Sequence, residues 1–67
     1  MKKKSVKKEI TYHVSLSYSD ESESWIEMKA ECLADVMMAA RGWLMASFAD
    51  KVTIYDKEGF AVEAYIK

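Results

Sequence analysis

The chain has 67 residues, 51% of them hydrophobic, with ten Lys and Arg against eleven Asp and Glu and a formal net charge of −1. This length allows one domain, and a single Cys with a single His excludes an internal disulfide and a conventional Cys/His zinc site. A chain this short buries only about 60% of the surface its unfolded form exposes, so an excellent core or association with another chain is expected to support it.

The charge is unevenly spread. Lys2, Lys3, Lys4, Lys7 and Lys8 place +5 in residues 2–8, and the rest of the chain carries −6. Residues 1–8 read as a mobile basic arm, which either touches phosphates or serves as a solubilising terminus or strand start. No apolar stretch follows the lysines as in a secretory signal, and no apolar run approaches a membrane span. A cytoplasmic location is therefore expected, and no membrane partner.

Residues 9–67 read as one domain. Residues 9–18 alternate, with Ile10, Tyr12, Val14, Leu16 and Tyr18 on one side and Thr11, His13, Ser15 and Ser17 on the other, the mark of a half-buried strand. The polar turn SDESES follows at residues 19–24. A second strand over 25–30 turns Ile26, Met28 and Ala30 inward and Trp25, Glu27 and Lys29 outward.

Residues 32–49, CLADVMMAARGWLMASFA, lack alternation and read as a single helix. At about 100° per residue, Leu33, Val36, Met37, Ala40, Trp43, Leu44 and Phe48 share a core-facing stripe. Cys32 occupies the N-cap position, with Asp35 three residues on as in a capping box and well placed for the helix dipole. The back of the helix carries Met38, Ala39, Gly42, Met45, Ala46 and Ala49 and is nearly free of charge. Gly in mid-helix costs about 1 kcal/mol relative to Ala, so a close approach there is one explanation and a solvated alanine-rich face is the other. A covered back implies a homodimer or a foreign protein partner.

A third strand over 51–56 turns Val52 and Ile54 inward. The turn Asp56-Lys57-Glu58-Gly59 leads to a fourth strand over 60–66, with Phe60, Val62, Ala64 and Ile66 inward and Ala61, Glu63 and Tyr65 outward. The order ββαββ defines an α+β fold: a four-stranded antiparallel sheet with one helix on one face. Pairing of the first and last strands at the centre gives an expected strand order of 2-1-4-3.

No catalytic, cofactor or metal constellation is present, and a non-enzymatic protein without a cofactor is expected. His13 is a lone strand histidine without a positioned partner in the sequence. Cys32 lies beside Glu31 and Asp35, which oppose thiolate formation. Carboxylates cluster instead: Asp20, Glu21, Glu23, Glu27, Glu31 and Asp35 fall within sixteen residues, against Lys29 alone. Such a rim either imitates the phosphates that a basic groove binds or keeps a small protein soluble. Trp25, Tyr55 and Tyr65 are expected on the open sheet face, where aromatics can stack bases. Glu27 and Glu63 share that face in this reading, which suits a protein partner better than nucleic acid.

The segments SWIEMKAECLADVMMAARGWL and KVTIYDKEGFAVEAYIK, with Ala30, Leu33, Ala39, Ala40 and the turn from Asp56 to Gly59, resemble small phage or prophage α+β proteins, some anti-CRISPR proteins among them. The resemblance covers residues 25–67 and lies in apolar spacing and element order. It implies a small inhibitor or modulator that binds a host nucleic-acid-processing machine, with no family functional residue to carry over.

Overall fold

The computed structural model describes residues 9–67. The basic arm expected for residues 1–8 lies outside them. The elements are β1 (Ile10–Ser17), β2 (Glu23–Ala30), α1 (Leu33–Ala46), β3 (Lys51–Tyr55) and β4 (Ala61–Ile66). They form the expected α+β fold: one antiparallel four-stranded sheet with α1 on one face.

The strand order is β2-β1-β3-β4, not 2-1-4-3. Chain connectivity accounts for the difference. Residues 47–50 join α1 to β3, and the Asp50 N–H donates to the Ser17 carbonyl at 2.8 Å. Strands lie about 4.8 Å apart, so a place beside β1 is one spacing closer to β2 than an outer place would be, and a short connection favours it.

The core lies between α1 and the first three strands. Tyr12, Val14 and Leu16 of β1, Val52 and Ile54 of β3, and Val36, Ala40 and Leu44 of α1 are buried together. Val14 pairs with Ile26 on one side and Ile54 on the other, so the alternation of three strands converges on the helix stripe.

Both hairpins use the same turn. The Tyr18 N–H donates to Ser22 O and the Glu21 N–H to Tyr18 O, each at 3.0 Å. Asp56 to Phe60 repeats this pattern, with 2.9 and 3.0 Å bonds. The fourth residue of each turn has positive φ: 93° at Gly59 and 73° at Glu21. Gly takes that conformation without steric cost, and Glu does not.

The fourth strand is reversed relative to the sequence expectation. The turn bond between Asp56 and Phe60, continued regularly, would set Val62 opposite Ile54. A β-bulge between Ile54 and Tyr55 inserts one residue on β4, so Glu63 stands opposite Ile54 and Tyr65 opposite Val52. One inserted residue exchanges the faces. Glu63 and Tyr65 therefore lie on the helix side, and Phe60, Val62, Ala64 and Ile66 are exposed.

The end of α1 differs in a similar way. The helix stops at Ala46, and Ser47 is extended at φ −120° and ψ 178°. Phe48, expected in the core, is 94% exposed, and Ala49, expected on the helix back, is completely buried. Leaving the helical period at Ser47 breaks the 100° step that put these two residues on their expected faces. The Ser47 hydroxyl accepts from the Ala49 N–H at 3.2 Å, and its carbonyl accepts from Lys67 Nζ at 2.7 Å. The last turn of α1 has no basic residue of its own, so Lys67 brings positive charge to that end of the dipole.

Candidate binding surfaces

Three surfaces gather the residues singled out from the sequence. The first is the back of α1. Met38 and Met45 are 68% and 81% exposed, one helical stripe apart from the core, with Gly42 between them and Ala46 beside them. A Cβ built on Gly42 meets no atom of the described residues within 4 Å, so nothing among them requires glycine there. Ala39 is half-buried at the flank of the strip, and Ala49 leaves it for the core. Phe48, two residues past the helix end, is exposed as well.

The second surface is the edge at β2. Glu23 and Glu27 alternate along the outer side of the strand, Asp20 and Glu21 occupy the turn before it, and Glu31 and Asp35 lie between its end and the first turn of α1. All six are exposed. Eight residues of strand at about 3.3 Å each make this band roughly 25 Å long. The Asp20 carboxylate accepts from the hydroxyl and the backbone N–H of Ser22, and these bonds hold its pKa below the ordinary aspartate value.

The third is the open face of the sheet. Trp25 stands opposite Ser15 on β1, and its ring reaches across to Tyr55 on β3, with centroids 5.4 Å apart and planes tilted by 35°. This explains why the small polar residues Ser15 and Thr53 are buried on a face that has no helix. The indole N–H donates to Glu23 Oε1 at 3.2 Å. His13 lies between Glu27 and Tyr55 in the same rows. Tyr65 is not part of this face. The bulge sends it to the helix side, where the Arg41 guanidinium sits 5.6 Å from its ring centroid. The expected three-aromatic platform is a pair.

Cys32 caps α1 by position, with extended backbone, but its side chain makes no capping bond and is exposed. Among the described residues no three His, Cys, Asp or Glu side chains come together as they would around a metal ion. Among the same residues, no helix is long and apolar enough to cross a membrane. Together the elements define an open-faced two-layer α+β domain. Comparison with protein-family models, with curated proteins and with solved structures finds no match to this chain.

Proposed function

We propose that this is a small non-enzymatic protein that acts by binding another protein, through the apolar back of α1 and the acidic band along β2. The observation that carries this reading is the exposed strip of Met38, Gly42 and Met45 on α1. Contiguous apolar surface of this kind on a small domain marks interaction sites, and methionines adapt to a partner's contours. The acidic band specifies the partner's charge: a basic surface of the sort that otherwise holds nucleic acid, as in a phage-type inhibitor of a host nuclease complex.

Glu21 supports the band. The matching turn of the other hairpin has Gly59 in the left-handed conformation, whereas Glu21 holds that conformation with a full side chain. A local strain kept in place of the easier residue points to a use for its carboxylate. Direct nucleic-acid binding fits less well, because Glu23 and Glu27 flank the Trp25–Tyr55 pair and Tyr65 lies elsewhere.

The test is affinity capture from nuclease-treated bacterial lysate with wild type, Met45→Glu and the double variant Glu23→Lys, Glu27→Lys. A protein retained by wild type, lost with Met45→Glu and retained more weakly by the charge reversal is the expected result. Retention unchanged by either variant, or tight binding of the free protein to DNA or RNA at physiological salt, refutes the reading.

A further inference from the structure

We infer that β4 is a self-pairing edge: two copies of this chain join their β4 strands antiparallel about a two-fold axis at Ala64 and form one continuous eight-stranded sheet.

The two edges of the sheet are unlike each other. β2 is lined by Glu23, Glu27 and Lys29, the charged side chains that discourage strand addition. β4 reads AVEAYI, with Val62, Ala64 and Ile66 exposed and Glu63 as its one charge. Ile66 is 77% exposed.

Backbone parity restricts how such an edge can pair. The Lys67 N–H donates to Asp50 O at 2.9 Å, so residues 63, 65 and 67 turn their backbone groups toward β3. Antiparallel ladders alternate, so Ala64 and Ile66 turn theirs to the open side. The Ala64 N–H confirms this direction: its partner is the Glu63 side chain, at 3.3 Å, and not β3. That long, exposed bond is a weak substitute for a ladder bond.

Three symmetric registers bring these open groups close to one another. Centring on Glu63 sets two carboxylates directly opposite, which is destabilising. Centring on Tyr65 opposes two rings that each already lie beneath Arg41. Centring on Ala64 sets Val62 against Ile66 of the second copy on the outer face, apolar against apolar. On the helix face it sets Glu63 of one copy against Tyr65 of the other, beside the Arg41 stacked on that ring. Arg41 makes no salt bridge among the described residues, so the pairing supplies two equivalent Arg41–Glu63 contacts between copies. This self-complementarity of charge, apolar pairs and backbone groups selects a second copy as the occupant of the edge. The paired edge lies apart from β2 and meets α1's back only at Arg41, which borders Met38 and Met45, so the inference rests on β4 and not on the partner-binding reading.

Sedimentation equilibrium and single-cysteine cross-linking test it. Wild type is expected to sediment as a dimer, and Ala64→Pro as a folded monomer with unchanged far-UV circular dichroism, because proline at this position removes only an edge-facing N–H. Arg41→Glu is expected to weaken the dimer, and Arg41→Glu with Glu63→Arg to restore it. In a Cys32→Ser background, Ala64→Cys is expected to form a disulfide with its own copy, and Glu63→Cys and Tyr65→Cys not to do so. A monomeric wild type, a dimer that survives Ala64→Pro, a dimer lost with Met45→Glu instead, or cross-linking at 63 or 65 rather than 64 overturns the inference. Should Ala64→Pro fail to fold, the cysteine series decides alone.

Discussion

Replacing Gly42 with Ala separates a solvated helix back from one that a second backbone approaches. Gly42 is the tenth residue of the fourteen-residue α1, in helical conformation and without positive φ. A Cβ there meets nothing within 4 Å among the described residues, so the substitution adds no clash with them. The helix propensity difference then acts alone, and Ala is expected to stabilise the fold by about 0.5–1 kcal/mol. For a domain of this size a change of 1 kcal/mol moves Tm by about 4–8 °C, so a rise of about 2–8 °C is expected. Thermal unfolding followed by circular dichroism measures it, with urea titration as a check that the m-value is unchanged. No gain, or a loss, would mean that another surface already lies against Gly42 in solution and would refute the account of an uncovered helix back. Where a partner packs closely at Gly42, the same variant is expected to fold better and to bind more weakly.

Four further outcomes follow from particular contacts. Glu21→Gly is expected to raise stability by about 1 kcal/mol in urea unfolding, because Gly relieves the positive φ of the first turn, and to weaken partner capture by removing a carboxylate. Cys32→Ser is expected to add about 0.5–1 kcal/mol by supplying the cap bond that the thiol does not make, and a clear loss of stability would contradict Cys32's role as an exposed cap. Ala49→Leu is expected to cost about 1–3 kcal/mol by overpacking a fully buried site; a neutral result would place Ala49 on the surface. Tyr65→Phe is expected to be neutral or stabilising by up to about 1 kcal/mol, since the Tyr65 hydroxyl is buried without a hydrogen-bond partner among the described residues, and a substantial loss would reveal a partner for it.

Local pattern alone determines the elements and most of the core. Period-2 alternation defines β1 and β2, and period-3.6 spacing places Val36, Ala40 and Leu44 against them, because each depends on side chains within a single element. The acidic band was legible for the same reason: its carboxylates follow one strand and the turns at its two ends. What only the tertiary structure decided depends on relations between elements. In β4 alternation favours Phe60, Val62, Ala64 and Ile66 for the core over Ala61, Glu63 and Tyr65, but which set faces the helix depends on the register with β3. The bulge opposite Ile54 and Tyr55 makes that choice, and it moves Tyr65 from the open face to the side of Arg41. At the helix end, CLADVMMAARGWLMASFA continues the apolar stripe through Phe48, yet α1 stops at Ala46 so that Ala49 can enter the core and Asp50 can meet Ser17. Strand order is likewise a property of the connection between α1 and β3 and of the space beside β1. No periodicity within a strand records its neighbour.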